Sequence, residues 1–234
     1  MFTNIYIQGK YLNISSNWFA EDSFWKAEQI LNILSKNCLQ PLTICEIGCG
    51  AGEILKNLSN KLDSSINFSG WEISPQAFEL CKKNETDRLK FYLGDFFAED
   101  NIFDLLLCID VFEHVEDYYG FLKNLRHKSR YQIFHIPLDL CVANILRYKN
   151  LELMRYSIGH IHSFTKETAL ASLKDTGYEI IDFFYTNYAV ETPTKSLNRK
   201  LAKIPRKLFG LLNADLATRV LGGNELLVLT TVKE

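Results

Sequence analysis

Along this chain, short apolar runs alternate with stretches in which apolar residues recur every three or four positions. Runs at residues 42–47, 66–73, 89–93, 103–109, 131–136 and 178–185 have strand length, and 225–232 supplies a seventh. The run at 103–109 is almost unbroken in apolar character, as a strand buried on both faces requires. Helical spacing appears between the runs. Asp22 or Ser23 can cap a helix that turns Phe24, Ala27, Ile30, Leu31 and Leu34 inward. Ile54, Leu55, Leu58 and Leu62 mark a second helix, and Ser74 with Pro75 opens a third carrying Phe78, Leu80 and Cys81. Residues 138–158 read as a helix and a connection, and 159–168 lead into a helix with Leu170 and Leu173 inward and Gly177 as its stop. Strands and helices alternating in this way predict an α/β fold on a doubly wound, mostly parallel seven-stranded sheet.

The first strand ends in Gly48, Gly50 and Gly52, and the second helix starts at once. Strand, glycine turn and helix N-terminus together make a seat for a nucleotide-like cofactor, because the backbone bends tightly, no Cβ blocks approach, and free N–H groups face the ligand. A dinucleotide site would need a glycine where Glu53 stands, and a carboxylate in the first helical turn competes with a pyrophosphate for the positive helix end. With Glu46 also acidic, the spacing favours a cofactor without phosphates, and S-adenosylmethionine is one. Glu72, at the end of the second strand about twenty residues on, stands where a ribose edge is met.

The stretch Glu46–Ile47–Gly48–Cys49–Gly50–Ala51–Gly52 resembles the first motif of class I S-adenosylmethionine-dependent methyltransferases. The segment at 110–117, with Glu113–His114–Val115, is similar to the one after the fourth strand in the ubiquinone-biosynthesis type of small-molecule methyltransferases. The resemblance implies a Rossmann-like sheet whose terminal strands pair antiparallel, with S-adenosylhomocysteine as product. It also implies cofactor contacts by Glu46, Gly48, Cys49, Gly50, Gly52, Glu72, Ile73 and Asp110, with Asp95 on the adenine amine and Phe96 on its ring. A small-molecule acceptor, methylated on oxygen or nitrogen, is expected. His114 and His135 follow strand ends and are candidate bases; of His160 and His162, two apart, only one can point inward. No metal is expected, since neither His-Glu-x-x-His nor a cysteine partner is present. The rival readings are an NAD-dependent oxidoreductase on a similar fold and a binding module without turnover.

Composition narrows the partners. Acidic and basic residues nearly cancel, 28 against 26, which disfavours a nucleic-acid binder. Six cysteines without a Cys-x-x-Cys pair read as reduced thiols, and the N-terminal segment lacks a signal pattern, so a cytoplasmic protein is expected. The chain reads as a single domain over 1–234. A helical lead-in occupies 1–36 and a basic helical insertion 192–212, in which Pro205 should kink or split the helix. Residues 195–207 of that insertion read as a solvated basic face, or as one that makes weak contact with a membrane surface or an acidic substrate, and Trp25 and Lys26 are either ligand-facing or surface residues.

Overall fold

The seven strands are β1 (Thr43–Ile47), β2 (Asn67–Glu72), β3 (Leu89–Leu93), β4 (Phe103–Ile109), β5 (Ser129–Pro137), β6 (Tyr178–Thr186) and β7 (Glu225–Val232). The computed structural model describes residues 20–194 and 196–232; the lead-in before residue 20 and Lys195 lie outside the described residues. The strands form one sheet in the order β3-β2-β1-β4-β5-β7-β6, parallel from β3 to β5. β7 runs antiparallel between β5 and β6.

Among the described residues ten α-helices accompany the sheet: α1 (Ser23–Lys36), α2 (Glu53–Lys61), α3 (Pro75–Cys81), α4 (Tyr118–Leu125), α5 (Val142–Leu146), α6 (Asn150–Ser157), α7 (Lys166–Asp175), α8 (Tyr188–Glu191), α9 (Leu197–Leu212) and α10 (Ala214–Leu221). Their starts have local causes. Ser74 accepts from the Ala77 N–H with Pro75 in the first helical turn, Thr165 and Thr168 cap each other, and Asn213 accepts from the Leu216 N–H. Because strand side chains alternate between faces, Ile44, Leu105, Leu107, Ile133 and Leu227 pack on one side with Ala27, Ile30, Leu55 and Leu58. Cys45, Leu106, Cys108, Phe134 and Val228 pack on the other with Leu122, Leu125 and Leu173.

Three local expectations change. Phe24 is exposed beneath the Lys61 ammonium, and Ile33 is buried instead, because the inward arc of α1 centres on Ile30. Asp22 precedes that helix but makes no capping bond; its carboxylate goes to Lys26. Pro205 sits inside α9 without dividing it. The carbonyl that loses its donor belongs to Leu201, on an open face that water can reach.

Gly52, at φ +74°, turns β1 into α2, and a Cβ there would lie 2.6 Å from Phe91 Cζ and 2.7 Å from Cys81 Cβ. Left-handed backbone costs a non-glycine residue about 1–2 kcal/mol, and overpacking adds about 1–3 kcal/mol. Gly52→Ala is therefore expected to lower unfolding free energy by about 2–5 kcal/mol in urea titration; a loss under 1 kcal/mol would show that the turn is slack.

Candidate active site

The strand order reverses between β1 and β4, and there the carboxyl ends of the parallel strands open into a cavity of about 690 Å³. One wall is the glycine turn. Its N–H groups at Gly48 and Cys49 donate to the Trp71 carbonyl, at 2.8 and 3.1 Å. Glu72 Oε2 accepts from the Gly50 N–H and Oε1 from the Ser74 N–H, both at 2.8 Å. One buried carboxylate thus clasps the turn to the end of β2. Burial raises the Glu72 pKa while the backbone N–H donors oppose it.

Glu46, at 2% exposure, also borders the cavity, and its Oε2 has no hydrogen-bond partner. Burial pushes its pKa well up. Ile73, just past β2, is exposed on the same wall, and Glu53 follows from α2. Asp95 and Phe96 are not among the lining residues. Asp95 is exposed and accepts from the Phe97 N–H at 3.0 Å, starting a short turn, while Phe96 is buried edge-on against Trp71.

Across the cavity, Asp110 continues β4 at φ +53°, a left-handed conformation rare outside glycine. Its Oδ2 lies 2.7 Å from Lys26 Nζ, and its Oδ1 accepts from His135 Nδ1 at 2.7 Å. Lys26 also meets Asp22 at 3.0 Å. His135 Nε2 reaches Thr186 Oγ1 at 2.9 Å and stands 3.2 Å from Glu225 Oε2, close for charge attraction although outside hydrogen-bond geometry. Burial opposes every charge here, and the balance differs by residue: attraction prevails at Asp110, lowered far below the usual carboxylate range, and at Lys26 and His135, which are raised, whereas burial prevails at Asp22 and Glu225, whose pKa values rise. Lys26 therefore faces the cavity rather than solvent. Trp25 instead donates to Glu191 at 2.7 Å. His135, a candidate base from its strand end, does not line the cavity: it is 1% exposed with both ring nitrogens engaged, and what it touches is Asp110. It is a positioning residue.

The third group is Glu113, His114 and His160. His114 Nδ1 donates to the Gly159 carbonyl at 2.9 Å, and its ring lies 5.0 Å from that of His160. His160 Nδ1 is held by Asp139. His162 turns away to the Val115 carbonyl, so His160 is the inward member of that pair. Burial, then the neighbouring His160, depress the His114 pKa to about 4. Glu113 is 1% exposed, and neither of its carboxylate oxygens has a hydrogen-bond partner. Ligand atoms of the three residues lie within 4.8 Å of one another. A buried carboxylate without donors beside two histidines with fixed Nδ1 protons suits a divalent transition metal. Sequence reasoning passed over this group, because Glu113 and His114 are neighbours while His160 arrives from another loop.

A family model described as a methyltransferase domain matches residues 19–182. The mitochondrial ubiquinone biosynthesis O-methyltransferase of Schizosaccharomyces pombe is 33% identical over 103 residues, 41% of this chain and 36% of that protein. The match thus spans about a third of that relative's length. Among solved structures, the magnesium protoporphyrin IX methyltransferase of Synechocystis with bound SAH aligns at a TM-score of 0.60 and 14% identity, over 90% of this chain and 83% of that one. The N-methyltransferase NodS of Bradyrhizobium japonicum, in complex with S-adenosyl-l-homocysteine, aligns at 0.60 and 14%, over 96% and 98%. These likenesses show the fold.

Glu225 generates a pH prediction. Burial raises its pKa to about 7 despite the attraction of His135, against an ordinary 4.5. A carboxyl that keeps its proton longer in the folded state contributes stability below pH 4.5 and loses it as pH rises through 7. Glu225→Gln cannot ionise, so its stability relative to wild type should improve by about 1–3 kcal/mol between pH 4.5 and 8, a shift of one unit being worth about 1.4 kcal/mol. Urea titrations at both pH values measure this, and a constant difference would count against it.

Proposed function

The chain belongs to the methyltransferase domain family, and from that premise we propose that it transfers the methyl group of S-adenosylmethionine to a small molecule, leaving S-adenosylhomocysteine. One observation carries the reading: Glu46, Glu53 and Glu72 surround the glycine turn on one cavity wall. A pyrophosphate there would meet three carboxylates, which disfavours a dinucleotide. A sulfonium and an ammonium group fit, and the unpartnered Oε2 of Glu46 suits the ammonium.

In this reading Gly48, Cys49, Gly50 and Gly52 carry the cofactor on their backbone, and Glu72 accepts from its ribose hydroxyls with the lone pairs left by Gly50 and Ser74. Ile73 offers an apolar edge to the adenine, Asp95 takes the adenine amine, and Phe96 supports the site from within. Asp110 and Lys26 shape the far wall. The acceptor would enter beside His114, which lines the cavity. When bound, S-adenosylmethionine would supply a methyl carbon for in-line displacement, the acceptor lone pair forming the new bond, the electrons of the carbon–sulfur bond going to sulfur, and a proton carried by the acceptor leaving to water. The chain's main task is to align the two reactants and exclude water. The five buried free thiols agree with a cytoplasmic setting, and no helix among the described residues is long and apolar enough to cross a membrane.

His114 is a poor proton sink at neutral pH, because the best general base titrates near the working pH and this one is held near 4. A neutral imidazole is, however, the form that binds metal. Glu113, His114 and His160 would hold a divalent cation, which when bound acts as a Lewis acid that stabilises a deprotonated acceptor oxygen. The second reading therefore favours a hydroxyl acceptor, and it replaces the base role of His114 with a ligand role.

Two measurements follow. In calorimetry S-adenosylhomocysteine should bind and NADH should not. Glu72→Ala should weaken binding by about tenfold to a hundredfold, a hydrogen bond to a charged acceptor being worth about 1.5–3 kcal/mol; unchanged affinity would remove Glu72 from the ribose. For the cation, titration with Zn²⁺ or Mn²⁺ should show one site that weakens at least about tenfold in Glu113→Gln or His160→Ala, with cofactor affinity kept. If His114→Ala instead keeps the cation but loses about 10²–10⁴ in turnover, a base role is restored.

A further inference from the structure

Helix α9 is amphipathic, yet its apolar stripe faces outward. Leu197, Leu201, Ile204, Leu208, Leu211 and Leu212 recur at helical spacing along one side, each more than half exposed, Leu212 at 84%. Its inward cations are spent on the protein. Lys203 Nζ donates to the carbonyls of Val190 and Thr192, at 2.9 and 2.5 Å, and Arg206 donates to those of Gly222 and Leu221, at 3.2 and 3.3 Å. Lys200 and Lys207 stay exposed along one edge of the stripe. A helix fastened to the body by its polar side and open on its apolar side leaves that apolar face for something else to cover.

The neighbouring helices continue the pattern. α9 packs on α10, α10 on α5, and α5 on α6. α5 and α6, with the turn between them, expose Ile145, Leu146, Tyr148, Leu153 and Tyr156, with Tyr148 at 89%. Arg147 and Lys149 are exposed among them, the Lys149 ammonium 5.4 Å from the Tyr148 ring centre, with Glu152 the one exposed acid of α5 and α6. The same group of helices closes the cavity on its inner side through Asn144, Met154, Ile158, Arg206 and Leu221. Apolar side chains bordered by tyrosines and long cationic side chains are what a bilayer interface accommodates, since tyrosine rings settle at headgroup level and lysines reach past them to the charged layer.

We propose that this surface docks the protein on an anionic lipid bilayer, with α9 lying in the interface and the cavity mouth turned toward the membrane. Charge decides the occupant. α9 contains no acidic residue, and a two-fold contact pairing α9 antiparallel with its copy would bring Lys200 of each copy toward Lys207 of the other. An anionic headgroup layer instead neutralises them. Resting on the methyl-transfer reading, the acceptor would then be an amphiphile drawn from the bilayer.

The test is sedimentation of the full chain with phosphatidylcholine vesicles, with and without phosphatidylglycerol. The protein should partition onto the anionic vesicles, less so as salt is raised. Lys200→Gln with Lys207→Gln should reduce partitioning at least tenfold, at about fivefold for each lysine, and Leu201→Gln with Leu208→Gln should reduce it as much. Both double variants should keep the wild-type circular dichroism and affinity for S-adenosylhomocysteine. Absence of wild-type binding, or binding that the leucine changes leave intact, would overturn the proposal. So would a wild-type dimer in the ultracentrifuge that the leucine variant dissociates, since the face would then join two copies. Docking without S-adenosylhomocysteine binding would uphold the surface and overturn the methyl-transfer reading alone.

Discussion

The carboxylate of Asp110 joins parts of the chain that lie far apart in sequence. It takes Lys26 from α1 on one oxygen and His135 from β5 on the other, and through His135 it reaches Thr186 on β6 and Glu225 on β7. Taking these charges out of water is costly for each alone, and the cost is offset only while all remain together. That condition fixes where α1 may sit. It also explains why a non-glycine residue tolerates left-handed backbone at the end of β4: the ion pairs on both oxygens over-determine its place.

With α1 held there, the cavity has two dissimilar sides. One is acidic and hydrogen-bonded to backbone, built by Glu46 and by the clasp of Glu72 on Gly50. The other gathers His114, His160 and the buried Glu113, whose oxygens lack donors. Low dielectric strengthens both sides in different ways. On the first it raises the pull of a carboxylate on a cation; on the second it keeps the imidazole of His114 neutral and so ready to coordinate.

One patch on the outside of the molecule carries the opposite sign. Basic residues that the overall charge balance conceals collect on α9 and around the turn between α5 and α6, the helices that also close the cavity. A near-neutral chain can therefore present acidic side chains to its ligand and one basic, apolar patch on its outer surface. Position within the fold, and not composition, separates the two.

Much of this was legible in the sequence because it depends on local spacing. Period-two alternation and unbroken apolar runs located all seven strands, β3, β4 and β7 at their observed bounds, and three glycines before a helical pattern located the turn. Those signals follow from backbone geometry, which acts over a few residues. What the sequence could not decide was which polar residues share a space. His135 reads as a base at a strand end but is enclosed by Asp110 and Thr186; Glu113 reads as one acid among several but is buried beside His160; Lys203 and Arg206 read as a solvated face but hold α9 against backbone carbonyls. Each of these depends on groups brought together by sheet order and helix packing. Only tertiary structure sets those distances, and Coulomb attraction and desolvation depend on distance and burial rather than on sequence separation.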